Sequence, residues 1–474
     1  MPDDVSKNPK LFILFRIFFN CRFYYPVYAI LFLDFGLSTE QFAWLNVAWA
    51  ASIVLLEVPS GALADQIGRR SLVIFASVLM LIEIGVMCAM PVVDRDSFAG
   101  DPEGLSAAAM VLFVVFIFNR IISGAAEAAA SGADEALAYD SLPEGNRGSG
   151  WARLTTNLMK WQSVAFIVVT LIGACVYDPE TLNWFTSLFG GVGGFVQNQT
   201  VKFPIYLTFG MAIGALITAL KMQEPASMRP KSDLPLGEAI RRSFKRTFAA
   251  GGWILRTPVA LMLILVGLFY DSIIRLYYTV GSIWLEVIGY QPAQFGIISV
   301  AGSFMGILAA ILGERLIRNH TPNFNFRLLA VLVFGGILSL AFPIQYWSVL
   351  FLPLLWIAMR FLHFFLSNYL NRVTDSENRA TILSFKGLTM NLSYGIMTWA
   401  FGLQTKILME KLGPANPEAM LKAERDELGH QVFAEAASWW WMYILLAMTG
   451  LWLFRWLKIR KSWNNLIPAP KAER

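Results

Sequence analysis

Charge is scarce in this 474-residue chain: Asp, Glu, Lys and Arg together make up 15% of it, against roughly 25% in an average soluble domain. With 56% hydrophobic residues, a soluble globule would leave much apolar side-chain area without a core to fill, so that class is excluded. Cysteine is scarcer still. Cys21, Cys88 and Cys175 each fall inside an apolar run. They offer no disulfide framework and no metal-ligand spacing, and they read as small core hydrophobes. Nucleotide-binding and catalytic motifs are missing, which argues against an enzyme and against a cofactor. Nothing resembles a selectivity filter, which disfavours an ion channel. No small-residue cleavage site follows the first apolar run, and the run is too long and too rich in Phe, Tyr and Arg for a secretory signal. It reads as a retained membrane span.

What the chain does have is long apolar stretches. They lie near 11–34, 41–63, 71–92, 107–135, 152–177 and 203–221, then near 258–285, 293–313, 326–344, 347–370, 381–406 and 436–457. Each is long enough for a membrane helix of about 20 residues. The expected fold is all-α, with twelve transmembrane helices in two six-helix halves. A bundle over 1–221 precedes a cytoplasmic linker over 222–257, a second bundle over 258–458 and a tail over 459–474. The net charge of +5 follows this topology rather than pointing to nucleic acid. With both termini cytoplasmic, Lys and Arg crowd the inner loops, while the outer loops keep Arg95, Lys202, Lys406, Lys411, Lys422 and Arg425. That is the bias of the positive-inside rule. In the linker, "LPLGEAIRRSFKRTF" repeats Leu236, Ile240, Phe244 and Phe248 every four residues beside Arg241, Arg242, Lys245 and Arg246. This predicts a basic amphipathic helix on the lipids of the inner leaflet.

Arg16, Arg22, Arg120, Lys160, Arg275, Arg360 and Lys386 lie within spans, where ionisable residues are costly and mark function. Two of them belong to a repeat. "CRFYYPVYAI" (21–30) and "IRLYYTVGSI" (274–283) align at a fixed offset of 253, pairing Arg22 with Arg275, Tyr24 with Tyr277, Tyr25 with Tyr278, Val27 with Val280 and Ile30 with Ile283. The register continues to Gly36/Gly289, Gln41/Gln294 and Phe42/Phe295. Parallel halves of this kind are a transporter architecture, with the solute held between them near the midplane. A fainter echo joins Arg120 in "FNRII" with Arg360 in "AMRFL".

"GALADQIGRRSL", between the second and third spans, resembles the signature loop of the major facilitator superfamily, G-x-L-a-D-x-x-G-R-R, at Gly61, Leu63, Ala64, Asp65, Gly68, Arg69 and Arg70. "NRIISGAAEAA" in the fourth span resembles that family's R-x-x-x-G-x-x-x-A motif at Arg120 and Gly124, with Glu127 on the same helix face as an addition of this chain. The resemblance runs over essentially the whole chain. It implies a secondary transporter working by alternating access, a signature loop that locks the outward-facing state, and a fourth-span motif linked with proton coupling. In physical terms, Gly61 permits close helix approach, Asp65 can cap a helix, Gly68 allows a tight turn and Arg69 and Arg70 hold the loop inside. Drug-antiporter members carry a glycine-proline motif in the fifth span, whereas "WQSVAFIVVTLIGACVY" has no proline. "RATILS" at 379–384, by contrast, is similar to bacterial efflux-type members.

By the repeat, Arg22 and Arg275 are expected at similar depth, facing a central cavity. Arginine's planar fork suits carboxylates and phosphates, and the pair resembles the symmetry-related arginines of organophosphate and organic-anion members. Tyr25 and Tyr278, three residues on, are expected on the same face, with Tyr24 and Tyr277 packed away from it. The alternative is neutralisation by an acid: Asp271 for Arg275, and Glu127 or Glu83 for Arg22. The expected coupling residues are Arg120, Glu127 and Asp271, with Asp34 and Glu57 behind them. His363 reads as a packed polar residue. The reading is a transporter of a small anionic or zwitterionic solute, driven by protons or another ion and seated in a bacterial inner membrane. Its rivals are a multidrug efflux pump and a transporter-like sensor.

Overall fold

A computed structural model of the chain describes residues 5–98, 101–143, 145, 147–191, 193–225, 235–374, 379–414 and 420–459, whose regular structure is helical throughout. In chain order the helices are α1 (Asn8–Asn20), α2 (Tyr28–Asp34), α3 (Thr39–Ile67), α4 (Arg69–Ala89), α5 (Pro102–Ala130), α6 (Ala133–Asp140), α7 (Arg147–Tyr177), α8 (Pro179–Leu188), α9 (Gln197–Thr200), α10 (Phe203–Lys221), α11 (Leu236–Arg256), α12 (Pro258–Val287), α13 (Pro292–Asn319), α14 (Pro322–Ala341), α15 (Leu352–Val373), α16 (Arg379–Leu412), α17 (Lys422–Ser438) and α18 (Trp440–Phe454). Among the described residues, ten helical stretches are long and apolar enough to cross a membrane. The first and eleventh expected spans are outside that set, the first because its helix is broken. The eleventh, α16, is one continuous helix of 34 residues.

Two compact units divide the chain. Met1–Phe244 with Gln291–Val300 and Asn416–Glu424 forms one; Lys245–Tyr290, Ala301–Ala415 and Arg425–Arg474 form the other. In the first, α5 packs on α3 and α4, and α10 packs on α4 and α1. Gly124 is what lets α5 come so near α3: a Cβ there would fall 2.6 Å from Ser52 Cβ and 2.7 Å from the Trp49 carbonyl oxygen. Gly61 was the residue expected to serve close approach, yet a Cβ on it would meet nothing within 4 Å. In the second unit, α12 packs on α15 and α16, and α14 on α15 and α18.

The repeat is structural as well as sequential. Gly36 and Gly289 both turn the chain at positive φ, 113° and 95°, a region in which glycine has no Cβ penalty. At the same offset of 253, Val93 N donates to the Phe35 carbonyl and Tyr346 N to the Ile288 carbonyl, each at 2.9 Å. Gln41 caps the next helix through the Ser38 amide (2.9 Å), and Gln294 does so through the Gln291 amide (2.8 Å). One position differs with large effect. Where α12 has Thr279, the first copy has Pro26. Proline has no N–H to return to the carbonyl four residues back, so the Arg22 carbonyl takes the Tyr25 amide instead (3.2 Å) and the helix stops between Asn20 and Tyr28 except for one 3₁₀ turn. Thr208 Oγ1 on α10 accepts the stranded Phe23 amide at 3.0 Å. Gly173 on α7 admits the Phe23 carbonyl so closely that a Cβ would lie 1.8 Å from its oxygen.

The amphipathic stretch forms α11, and the boundary between the two units falls within it, at Phe244/Lys245. Its Thr247, Ala250, Gly251 and Ile254 are buried, with Gly251 against the Phe385 ring of α16, while Arg241, Arg242, Lys245 and Arg246 are exposed. Part of its apolar face is therefore covered by the protein itself.

Candidate functional site

Arg22 sits in the helix break, and its fully buried partner is Glu83 on α4. Arg22 Nη1 lies 2.6 Å from Glu83 Oε1 and donates to Tyr24 Oη at 2.7 Å. The same carboxylate oxygen meets Arg120 Nη2 of α5 at 2.5 Å. Around Arg120, Nη1 donates to Tyr28 Oη (3.3 Å), Nε and Nη2 point to Asn119 Oδ1, and the guanidinium lies 5.6 Å from the centre of the Phe32 ring. Asn119 Nδ2 in turn donates to the Glu83 carbonyl at 2.6 Å, and Tyr28 Oη to Asn46 Oδ1 at 3.1 Å. Two buried guanidinium groups thus share one carboxylate, which leaves an excess of one positive charge. Arg22 Nε, also buried, has no hydrogen-bond partner among the described residues.

The second unit repeats the arginine and changes its setting. On α12, Arg275 Nη2 lies 2.5 Å from Asp271 Oδ2, one helical turn before it, and Nη1 donates to Asn391 Oδ1 of α16 at 2.7 Å. The guanidinium stands 5.2 Å from the centre of the Tyr394 ring. Asp271 is fully buried, and its other oxygen meets His363 Nε2 of α15 at 3.1 Å. Lys386 of α16 also lies within electrostatic range of Asp271. Here again cations outnumber the carboxylate. The countercharge is not part of the repeat: the positions equivalent to Glu83 and Asp271 are Gly336 and Phe18.

The tyrosines divide as their spacing predicts. Tyr25 and Tyr278 are 39% and 45% exposed, and Tyr24 and Tyr277 are buried. Glu127 is not brought to Arg120; it lies within electrostatic range of Tyr25 and Glu57. Arg360, the echo of Arg120, is exposed, near Tyr278 and beside Gly306. Asp34 accepts from Tyr177 Oη, from Gln197 Nε2 (2.8 Å) and from Lys422 Nζ (3.0 Å) rather than from Arg22 or Arg120.

At the signature loop, Gly68 has φ 90° and joins α3 to α4. The side chain of Asp65 lies outside the described residues. Glu224, after α10, supplies the acceptor at the start of α4, taking the Arg69 amide at 3.1 Å and the Arg70 amide at 2.7 Å. Arg70 Nε and Nη2 donate back to the Met222 and Leu220 carbonyls (2.5 and 3.0 Å), and Arg69 Nη1 meets Asp140 Oδ2 at 3.1 Å. Asn8 closes the same end through both polar groups of the Gln223 backbone (2.7 and 3.0 Å). Glu83 was legible as a lone acid in an apolar run. Glu224, Asn391 and Tyr394 carried no local signal.

The family model described as Major Facilitator Superfamily matches residues 11–398 of this chain. No curated protein matches it. Among solved structures, the nucleoside transporter NupG has a TM-score of 0.64 at 10% identity, over 95% of this chain and 98% of that one. A bacterial homolog of the human lysosomal transporter Spinster, inward-facing and unoccupied, has 0.63 at 14%, over 99% and 98%. A D-xylose-proton symporter has 0.55 at 16%, over 93% and 95%. At such identities the likeness is one of fold and does not choose a cargo.

Proposed function

We propose that this chain, which belongs to the major facilitator superfamily, is a proton-coupled secondary transporter of a small anionic or zwitterionic solute. The observation that carries the reading is the charge count: each arginine cluster holds more cations than carboxylates, both cations being buried around Glu83 and half-buried around Asp271. An unbalanced buried charge is costly, and an incoming anion removes that cost. Arg22 and Arg275 receive the anion, with Tyr25 and Tyr278 exposed beside them. The orphan Nε of Arg22 is a donor still free for it. A carboxylate displaced from its guanidinium in a dry interior is neutralised by taking a proton, which ties solute to proton. Glu83 and Asp271 hold that role directly; Arg120 shares Glu83, and Glu127 acts from beside Tyr25. One structure of similar fold is that of a D-xylose-proton symporter, which fits the same coupling. The protein works by alternating access in a bacterial inner membrane with both termini inside, and the signature loop at Gly61, Asp65, Gly68, Arg69 and Arg70 acts as its gate.

The test is flux in proteoliposomes under an imposed pH gradient, with a panel of organic anions, amino acids, sugars, nucleosides and lipophilic cations. Gradient-dependent movement of an anion or zwitterion, falling at least about tenfold in Arg22→Ala and in Arg275→Ala, is expected; about tenfold corresponds to losing one charge-assisted hydrogen bond. Anion flux undiminished in both variants overturns the arginine site. Movement of lipophilic cations alone selects a drug exporter, and no gradient-driven flux of any class selects a sensor.

A further inference from the structure

A cavity of about 390 Å³ opens where α1 and α7 begin. Of its lining, Lys10, Arg153 and Asn157 are exposed, while Ile13, Leu142 and Leu154 are half-buried or buried. The cavity is therefore basic at its mouth and apolar within. Lys10 directly precedes the first apolar run and Arg153 stands at the start of the fifth, so on the positive-inside orientation the mouth lies at the inner edge of the spans. Among the described residues, Lys10 and Arg153 make no ion pair. They differ in this from Arg16, Arg69 and Arg147, which the acids of α6 engage.

Beyond the cavity, one side of α7 stays open and turns apolar. Trp161, Val164, Val168 and Ile172 follow Asn157 at helical spacing, which keeps them on one side of the helix, and all four are exposed. From Trp161 to Ile172 the helix rises about 16 Å, close to the hydrocarbon depth of one leaflet, about 15 Å. Lys160 is exposed in the same stretch, its ammonium 5.7 Å from the centre of the Trp161 ring. A lysine at that depth keeps its charge by reaching to the headgroups. Helix side chains lean toward the N-terminus, here the cytoplasmic end, where Arg153 stands.

We propose that this cavity and the open side of α7 bind an anionic phospholipid of the inner leaflet. Lys10 and Arg153 hold its phosphate, and one acyl chain lies along Trp161, Val164, Val168 and Ile172. A free anion would answer the two cations and leave the apolar side of α7 uncovered. A neutral lipid would cover that side and leave the cations without countercharge. One amphiphile meets both needs, and the cytoplasmic leaflet supplies anionic lipids that basic clefts between helices take up. This lipid site stands apart from the solute site and does not depend on what the protein carries.

The test places a photocrosslinker on the acyl path by Trp161→p-benzoylphenylalanine, which keeps an aromatic side chain there. The full-length chain is irradiated in nanodiscs of phosphatidylglycerol and phosphatidylcholine, and the mass of each adduct identifies the lipid. Met110→p-benzoylphenylalanine, at an exposed position of α5, gives the reference for bulk lipid. Each basic residue near an anionic headgroup favours it about fivefold. Phosphatidylglycerol adducts at position 161 are therefore expected to be enriched about 25-fold over the reference. Lys10→Gln and Arg153→Gln should each lower the enrichment about fivefold, both together should abolish it, and Lys10→Arg should keep it. Equal lipid ratios at the two positions overturn the proposal, as does enrichment that survives the double variant. No lipid adduct at position 161, with adducts formed at position 110, also overturns it. So does loss of the enrichment on adding inorganic phosphate but not chloride of equal ionic strength, which would assign the cations to a free anion.

Discussion

Replacing Glu83 by glutamine removes the one negative charge between two buried guanidinium groups and keeps nearly the same shape. With N···O separations of 2.6 and 2.5 Å, each pair has charge centres about 4 Å apart, worth about 4 kcal/mol at an effective dielectric of 20. The two guanidinium groups, held to one oxygen, repel by about 3 kcal/mol on the same scale. Relaxation and water entry reduce these sums, and removal of one partner from a buried pair ordinarily costs about 3–5 kcal/mol. Glu83→Gln is therefore expected to lower the thermal midpoint of the detergent-purified protein by roughly 3–5 °C, from an unfolding entropy of about 1 kcal/mol/K for a chain of this length. Adding Arg120→Gln removes the repulsion along with one cation. The double variant should then be more stable than the sum of the single losses by about 2–3 kcal/mol, a coupling of the size seen for residues in one network. A Glu83→Gln midpoint within a degree of the parent, or strict additivity in the double variant, would refute the shared-carboxylate account.

Two further predictions concern the scaffold around the site. Gly173→Ala drives a methyl into the Phe23 carbonyl and should cost more than about 3 kcal/mol or prevent folding, whereas Gly210→Ala, with nothing within 4 Å, should be neutral or stabilising by up to about 1 kcal/mol; equal midpoints for the pair would deny that the break is wedged on α7. Glu224→Ala strips the first two amides of α4 of their acceptor and should cost about 1–2 kcal/mol. Hydrogen exchange over residues 66–72 should quicken with it, and unchanged exchange there counts against a cap at this end.

Much of the architecture was legible in the sequence because the bilayer imposes a simple rule: a helix that crosses it must be apolar for about 20 residues. The equivalence of Arg22 and Arg275 in the repeat, the burial of Tyr24 and Tyr277, and the glycines at 36 and 289 all follow from local spacing or from the repeat. Pro26 against Thr279 was also visible, and its consequence, a broken helix around Arg22, follows from the missing N–H.

Partner choice was not legible. Glu127 and Glu83 stood equally available to Arg22 along the chain, and only the packing of α4 against α5 brought Glu83 to both arginines. Glu224 reached the start of α4 from the far end of α10, and Asn391 and Tyr394 reached Arg275 from α16, more than 100 residues away. Within one helix, residue spacing sets direction, so Asp271 and Arg275 could be paired in advance. Between helices, azimuth and depth depend on which faces interlock, and no local pattern encodes that. The sequence by itself determined spans, repeat and the places where charge enters the membrane; the tertiary structure decided which carboxylate answers each arginine, because that depends on contacts between helices far apart in the chain.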